Sequence, residues 1–240
     1  MAKFSSMWYG KPLDKMELIV LKSFLEHGHT FKLYLYDQSI EVPDGIEKGD
    51  ANEIIPINKF FGPIPNTFSD MFRYKMLSLE DTCWVDMDVV CLRPDWDFKD
   101  YILANEQMNK NVVMSNNAVF KAPPGSEFIK YLSDYTENYD KTKITFGNYP
   151  PLLFGAYFLT KTIANFGLQE YVNPPKTFYP VDPQACMLYV QPESKSTVED
   201  LVKDSHAAHI YFTVIKKSQD FDGNFPVGSW LWEMEQKYLK

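Results

Sequence analysis

Asp86 and Asp88 are the residues of this sequence whose types and spacing most directly suggest chemistry. They lie in an otherwise apolar, β-branched run, residues 84–92 (WVDMDVVCL), which is typical of a buried strand. In a strand both side chains point to the same side, about 6–7 Å apart. Their repulsion, about 2–3 kcal/mol at an effective dielectric of about 20, favours a divalent metal with oxygen ligands that carries a phosphate on its free positions. The alternative is a pair of solvated aspartates that cap the next turn.

A second charged pair, Asp70 and Arg73, precedes the aspartates in residues 68–74 (FSDMFRY). On a helix, residues three apart share a face. The spacing fits two interpretations equally well. One is a surface ion pair worth about a few tenths of a kcal/mol. The other is an aspartate that accepts hydrogen bonds from ligand hydroxyls beside an arginine that neutralises phosphate oxygens.

Aromatic and histidine residues provide further candidates. Trp8 and Tyr9 fall at the carboxyl end of the first predicted strand, where open α/β sheets bind ligands. A ring there stacks on a base or packs into the core. His206 and His209 lie in a predicted strand, which places them on opposite faces, so that at most one can reach a metal.

The elements that must position these residues begin with a β-α-β pattern, typical of a parallel nucleotide-binding sheet. Residues 4–9 predict a strand, a helix then ends at Gly28, and residues 31–36 predict a second strand. The Pro-, Gly- and Asp-rich residues 42–50 predict a loop. Residues 67–79 predict a helix that leads into the aspartate strand.

The order of predicted strands and helices becomes irregular after residue 94, and no repeat or linker divides the chain. We therefore expect one α/β domain with a loop-rich pocket wall at residues 173–192. Three further strands, three helices and one turn are predicted as follows: strands at 112–114, 118–120 and 207–212, helices at 126–135, 152–166 and 230–239, and a turn at 145–151.

Composition restricts the possible partners. The 240 residues are 45% hydrophobic, enough for a substantial core, and the net charge of −8 without a long basic run argues against a nucleic-acid or anionic-membrane partner. Three cysteines without paired spacing predict buried, reduced thiols. Residues 1–6 lack the apolar core of a signal peptide, and no stretch approaches the ~20 apolar residues of a transmembrane segment. We expect a soluble, cytoplasmic protein.

Taken together, residues 68–74 and residues 84–94 (WVDMDVVCLRP) resemble the GT-A glycosyltransferases with a DXD-containing sugar-binding region. That group includes bacterial capsular and lipopolysaccharide enzymes and, more distantly, the clostridial glucosylating toxins. Residues 7–13 (MWYGKPL), 23–29 (SFLEHGH) and 33–37 (LYLYD) are similar to the same bacterial members. The sequence departs from the family at residues 80–82 (EDT), where a glycine pair is usual, and at its late Ser-Trp, residues 229–230.

The resemblance implies a Rossmann-like fold of GT-A type, with a mixed, mostly parallel central sheet flanked by helices. It implies a single domain over residues 1–240, with residues 1–95 as the nucleotide-binding half and residues 96–240 as the acceptor-side half. The implied activity is metal-dependent transfer of a sugar from a nucleotide-sugar donor, most simply a UDP-sugar. Transfer would proceed with retention to a glycan, lipid-linked or protein acceptor, as in polysaccharide biosynthesis. We expect residues 148–153 to form part of the acceptor-side wall.

The resemblance also implies roles for individual residues. Mn²⁺ or Mg²⁺ would be held by Asp86, Asp88 and His209, with Asp88 as a direct ligand and Asp86 contacting both the ribose and the metal. Asp86, Asp88 and Arg73 would be the catalytic groups, with Arg73 against the sugar or diphosphate. Trp8 would stack on uracil. The implied donor-binding residues are Trp8, Tyr9, Gly10, Asp70, Arg73 and Asp86.

Two other functions remain open from the sequence. In a haloacid-dehalogenase-like phosphatase, Asp86 would be the nucleophile and Asp88 the acid and base, with a downstream acidic pair such as Asp220 and Asp222. A non-catalytic module that binds nucleotide-sugars is the other. Hydrolysis of a nucleotide-sugar without any acceptor separates the transferase from that module.

Overall fold

The computed structural model describes residues 1–59, 65–96, 100–140, 142, 153–219 and 221–240. It confirms the predicted mixed α/β architecture, in which helices flank a mostly parallel central sheet. The strands are β1 (Lys3–Trp8), β2 (Thr30–Leu35), β3 (Ile46–Asp50), β4 (Cys83–Val85), β5 (Val89–Cys91), β6 (Ile102–Asn109), β7 (Val112–Lys121), β8 (Val172–Asn173) and β9 (Ala207–His209). The α-helices are α1 (Lys15–Glu26), α2 (Pro65–Leu79), α3 (Glu127–Asn138), α4 (Ala156–Asn165), α5 (Lys195–Val202), α6 (Phe212–Ile215) and α7 (Trp230–Leu239).

Within the described residues, seven strands form the central sheet in the order β3-β2-β1-β4-β7-β6-β8, and β5 and β9 form a separate antiparallel pair. The four strands from β3 to β4 run parallel, β7 is antiparallel to both β4 and β6, and β8 is parallel to β6. Because the first four strands are parallel, their carboxyl ends meet at one edge of the sheet, where ligands of open α/β sheets bind.

Both faces of the sheet are covered by apolar side chains. Alternate residues of β4 point to opposite faces, so Val85 packs into one cluster with Phe4 and Phe24, whereas Trp84 packs into the other with Phe72 and Phe120. Burial on both faces explains why β4 is short and continuously apolar, as in the interior strands of parallel sheets.

Helix α1 begins and ends at strong local signals. Asp14 caps its N-terminus, and the Asp14 N–H donates to the Glu17 Oε2 at 2.7 Å, which completes a capping box. Gly28, with φ +76°, lets the chain turn back directly after the helix. The predicted β-α-β opening is confirmed, with boundaries that differ by a residue or two.

The predicted loop at residues 42–50 is wrong for its second half, where β3 pairs with β2. β3 is the edge strand of the sheet, and its exposed Glu47 and Lys48 leave no apolar alternation to detect. The aromatic ring of Tyr34 packs against Gly49, where an added Cβ would lie 2.7 Å from ring carbons. The glycine therefore marks close packing rather than a loop.

The region after residue 94 contains more sheet than the sequence predicts. Strand β6 was not expected, and the strands predicted at 112–114 and 118–120 belong to one ten-residue strand, β7. The polar residues 115–117 (SNN) interrupt the apolar alternation that predicts a strand, and their side chains bind other polar groups of the protein. The prediction for residues 207–212 is right only for its first half, since α6 follows β9, whereas α7 matches its predicted bounds.

Other predictions concern features outside the sheet. Residues 173–192 consist mainly of 3₁₀ helices and loops, as expected, but none of them belongs to the lining of the cavity at the aspartates, so their predicted role as a pocket wall is not confirmed. The three cysteines are buried and unpaired. Among the described residues, no helix is both long and apolar enough to cross a membrane. The predicted turn at 145–151 lies outside the described residues.

Candidate active site

A cavity of about 590 Å³ opens at the carboxyl ends of β1 and β4. Its walls come from the end of β1, from α2, from the Asp86–Asp88 segment, from β6 and β7, and from the junction between β9 and α6. The predicted site residues that line it are Trp8, Asp70, Arg73, Asp86, Asp88 and His209.

The prediction of one continuous strand through Asp86 and Asp88 is wrong. β4 ends at Val85, the chain turns, and β5 leaves the central sheet to pair with β9. The turn is closed by the Val89 N–H, which donates to the Asp86 carbonyl at 3.0 Å, and the Asp86 N–H donates to the Ala118 carbonyl at 2.8 Å. A turn lets the two carboxylates reach a common point together with a residue of β9.

Asp86, Asp88 and His209 form what we call the Asp-Asp-His triad, in which one ligand atom from each residue lies within 4.8 Å of the other two. The Asp88 Oδ1 lies 3.2 Å from the His209 Nε2, and the Phe212 N–H donates to the Asp88 Oδ2 at 2.9 Å. His206 directly precedes β9, and its ring lies away from the aspartates, against the rings of Trp96 and Phe178. Only one of the two histidines therefore reaches the aspartates, as predicted.

Asp88 and His209 shift each other's pKa. Burial raises the pKa of Asp88, but the facing His209 and the Phe212 N–H outweigh burial and leave that pKa lowered. Burial lowers the pKa of His209, but the Asp88 carboxylate outweighs it and leaves that pKa raised. The His209 Nδ1 is buried and has no hydrogen-bond partner. Two carboxylates and an imidazole with an unsatisfied nitrogen form a suitable donor set for a divalent metal.

Asp86 also belongs to a second group that we call the α2 wall, which consists of Asp70, Arg73, Asp86 and Asn117. The Arg73 Nη2 lies 3.0 Å from the Asp86 Oδ1 and 3.5 Å from the Asp70 Oδ1. The guanidinium also lies over the Trp84 ring, 4.8 Å from its centroid, while the Trp84 Nε1 donates to the Asp86 Oδ1 at 2.7 Å. Arg73 is only 4% exposed, so the surface ion pair considered from the sequence is excluded.

Asn117 is a member of this wall that the sequence analysis missed. Its Nδ2 donates to the Asp70 Oδ1 and to the Tyr74 hydroxyl, both at 2.9 Å, and its carbonyl accepts from Arg73. Burial raises the pKa of Asp70 to about 6, although Arg73 and Asn117 act in the opposite direction. The available signal was the Asn116-Asn117 pair, because two adjacent amides in a central strand need polar partners.

The residues at the end of β1 divide between the cavity and the surface. Trp8 is half-buried against the cavity, and its Nε1 donates to the Lys11 carbonyl at 2.7 Å. Tyr9 is 46% exposed and packs edge-on against Tyr36, outside the described lining of the cavity. Gly10, with φ +102°, also lies outside that lining. Consecutive residues of an extended chain point in opposite directions, so Trp8 and Tyr9 cannot share a ligand face.

Three more residues of the lining were not identified from the sequence. Lys216 follows α6, and its charge contributes to the lowered pKa of Asp88. Glu106 on β6 is 4% exposed, and Tyr211 at the start of α6 is 8% exposed. None of the three stands in a recognisable motif, and only the fold brings them to the cavity.

Two predictions about this region lie partly outside the described residues. Of the expected acceptor-side wall at 148–153, only Leu153 is described. Of the acidic pair that a phosphatase would require, Asp222 is absent from the described cavity lining, and Asp220 is not described.

The fold resembles that of a known glycosyltransferase. The solved structure titled PaToxG glycosyltransferase superposes with a TM-score of 0.50 at 12% sequence identity, over 84% of this chain and 78% of that chain. No protein-family model and no curated protein sequence matches the chain. At this identity the likeness concerns the fold alone. The chain therefore has a glycosyltransferase-like, mixed α/β fold with a mostly parallel central sheet.

Proposed function

We propose that this protein is a metal-dependent glycosyltransferase that transfers a sugar from a nucleotide-sugar donor, most simply a UDP-sugar, to a hydroxyl acceptor. One observation carries the proposal. The Asp-Asp-His triad and the α2 wall share Asp86 and line one cavity at the carboxyl ends of parallel strands, in a glycosyltransferase-like fold. A triad that needs a cation, next to a wall that offers hydrogen bonds, fits a ligand with both a diphosphate and a sugar.

Asp86, Asp88 and His209 would hold Mn²⁺ or Mg²⁺. The buried, unpartnered Nδ1 of His209 and the short distances among the ligand atoms support this assignment. A bound divalent cation would act as a Lewis acid that neutralises charge on the departing diphosphate.

In the proposed reaction the bond from the sugar C1 to the diphosphate oxygen breaks, a bond from C1 to the acceptor oxygen forms, and the acceptor hydroxyl passes its proton to the departing diphosphate. Lys216 is the cation we assign to the diphosphate, because it is exposed at the cavity beside the triad. Arg73 already binds Ser69, Asp70, Asp86 and Asn117, so its main role would be to hold the carboxylates in place. This electrostatic arrangement is formed before substrate arrives.

On the donor side, Asp70 would accept hydrogen bonds from hydroxyls of the transferred sugar, and Trp8 would stack on the base. Asp70 keeps acceptor capacity, because only one of its carboxylate oxygens takes the Asn117 hydrogen bond. We extend the proposal to a single catalytic domain over residues 1–240, with its nucleotide-binding half in residues 1–95. Retention of configuration and a glycan, lipid-linked or protein acceptor belong to the same proposal and rest on the family resemblance.

The experiment that tests the function is a calorimetric titration of UDP into the protein with Mn²⁺, with EDTA, and with GDP in place of UDP. We expect UDP to bind with Mn²⁺ and to lose most of its affinity with EDTA. Tighter binding of GDP than of UDP would support the same class of enzyme with a GDP-sugar as the donor. Absence of nucleotide binding in every condition would contradict the proposal.

A second assay separates a transferase from the alternatives. Protein with Mn²⁺ is incubated with UDP-glucose, UDP-galactose or UDP-N-acetylglucosamine, and UDP release is followed without any acceptor. Slow hydrolysis of one donor supports a transferase and excludes a pure binding module. Turnover of p-nitrophenyl phosphate instead would favour the phosphatase.

A further inference from the structure

Two buried polar residues of the cavity have no part in the metal or donor chemistry assigned above. Glu106 on β6 is 4% exposed and Tyr211 before α6 is 8% exposed, and both line the cavity. Neither residue belongs to the Asp-Asp-His triad or to the α2 wall. Buried polar groups normally have their hydrogen-bonding capacity satisfied, so the incomplete pairing of Glu106 and Tyr211 requires an explanation.

Glu106 is a buried carboxylate with spare hydrogen-bonding capacity. The Asn116 Nδ2 donates to the Glu106 Oε2 at 2.7 Å, and among the described residues no lysine, arginine or histidine forms a salt bridge with Glu106. A carboxylate can accept several hydrogen bonds, and one neutral amide compensates only a part of its lost hydration. The free lone pairs of Glu106 are therefore available to a ligand.

Two features of Tyr211 destabilise the folded state. Its backbone is left-handed, with φ +56°, which is uncommon for a residue other than glycine. Among the described residues, its buried hydroxyl has no hydrogen-bond partner. Strained backbone and unsatisfied polar groups persist mainly where function requires them. The Tyr211 ring lies 4.1 Å from the His209 ring, centroid to centroid, so the side chain packs against a member of the triad.

The two groups are chemically complementary to one ligand group. Burial raises the pKa of Tyr211, and the charge of Glu106 and a side-chain interaction with it raise that pKa further, so the hydroxyl and the carboxylate lie close together. The interaction is longer than a normal hydrogen bond, since the hydroxyl has no partner at that distance among the described residues. A carboxylate accepts hydrogen bonds and a phenol donates one, whereas an alcohol does both. An alcohol bound between them would therefore donate a hydrogen bond to Glu106 and accept one from Tyr211.

On the basis of the proposed function, we propose that Glu106 and Tyr211 form the subsite that binds the attacking hydroxyl of the acceptor. The subsite is distinct from the hydroxyl-binding position of Asp70 and Asn117, which lies on α2 and β7. Contact with His209 places it next to the diphosphate position. A hydroxyl held there would donate to Glu106, which orients its remaining lone pairs for attack on C1.

The test uses two conservative variants, Glu106→Gln and Tyr211→Phe, with water as the attacking hydroxyl. Glu17→Gln is the control for a buried carboxylate of the same cavity, since Glu17 caps its own helix. Tyr189→Phe is the control for a buried tyrosine hydroxyl that has no partner and lies outside the described lining. Affinity for UDP with Mn²⁺ and hydrolysis of the accepted UDP-sugar are measured for each variant.

We expect both subsite variants to keep the wild-type UDP affinity within about twofold and to lose at least about tenfold in kcat for hydrolysis, with an unchanged KM for the donor. Both controls should match the wild type. Tyr211→Phe removes a hydroxyl without a partner, so its melting temperature should not fall.

Other outcomes overturn the subsite in distinguishable ways. A raised KM for the UDP-sugar with unchanged kcat would assign the two residues to the donor sugar. Unchanged kinetics with a lowered melting temperature would make them structural. If wild-type protein binds no UDP, the proposed function fails and this subsite fails with it. If wild-type hydrolysis is undetectable, saturation-transfer NMR of methyl hexosides with UDP and Mg²⁺ decides, since only the wild type and the controls should bind the sugar.

Discussion

The α2 wall and the Asp-Asp-His triad share Asp86 but balance charge in different ways. In the α2 wall every charge has a protein partner, because Arg73 lies between Asp70 and Asp86. In the triad, Asp88 faces a histidine that is charged only when protonated, and His209 keeps an unpartnered nitrogen. The charges of the wall are therefore balanced within the protein, whereas the triad has the free ligand atoms that the proposed cation would take. This difference predicts that mutations in the triad mainly reduce binding of metal and UDP, whereas mutations in the α2 wall mainly reduce the stability of the fold.

The largest expected effect concerns the triad. Asp88→Asn should abolish Mn²⁺-dependent UDP binding and lower the hydrolysis rate by about 10³-fold, because a metal stabilises the departing charge by several kcal/mol. Unfolding should stay cooperative, because the Asp88 partners retain an acceptor oxygen. Calorimetry, UDP release and thermal denaturation measure the three quantities. Asp95→Asn, which changes an exposed aspartate paired with Arg93, is the control and should behave as the wild type.

Loss of the arginine should instead destabilise the fold. Arg73→Met leaves two carboxylates without their buried cation, and we expect the free energy of unfolding to fall by about 3–5 kcal/mol. Denaturant titration measures it. Lys75→Met on the same helix is the matched control, since Lys75 forms a partly exposed pair with Glu137, and we expect a loss of at most about 1 kcal/mol. Equal losses in the two variants would remove the distinction between wall and triad.

The pH dependence of protein stability provides a further test of the α2 wall. The pKa of Asp70 rises from 3.8 to about 6 on burial. Between these values the unfolded chain releases the proton while the folded chain retains it, so this residue lowers stability progressively as pH rises from about 4 to about 6. Asp70→Asn removes the effect, and its stability relative to wild type should increase by about 2 kcal/mol between pH 4 and pH 7. A difference that stays flat across this range would contradict the assignment.

The smallest expected effect lies outside both groups. Trp8→Ala should weaken UDP binding by about 1–3 kcal/mol, the usual contribution of stacking on a base, without affecting metal binding. Trp8→Phe should lose less, because it keeps a ring. Tyr9→Ala is the control, since Tyr9 lies outside the described lining of the cavity. Calorimetry with UDP and Mn²⁺ compares the three variants.

Local signals in the sequence were sufficient for much of the framework. The boundaries of α7 were predicted correctly, and the β-α-β opening was confirmed, because amphipathic periodicity and capping residues act over a few neighbouring positions. Strand β3 was missed because an exposed edge strand has no apolar alternation. β6 and β7 were missed or divided because their polar residues bind partners that are distant in sequence.

The sequence by itself determined that Asp70 and Arg73 share a helix face and that only one of His206 and His209 could face the aspartates, since helix and strand geometry are set by the backbone. Only the tertiary structure decided that Asp86 and Asp88 lie in a turn and that His209 meets them across the β5–β9 pair. It also decided that Asn117, Glu106 and Tyr211 line the same cavity. These arrangements depend on which strands become neighbours, and that choice follows from burial of the whole core rather than from any local pattern.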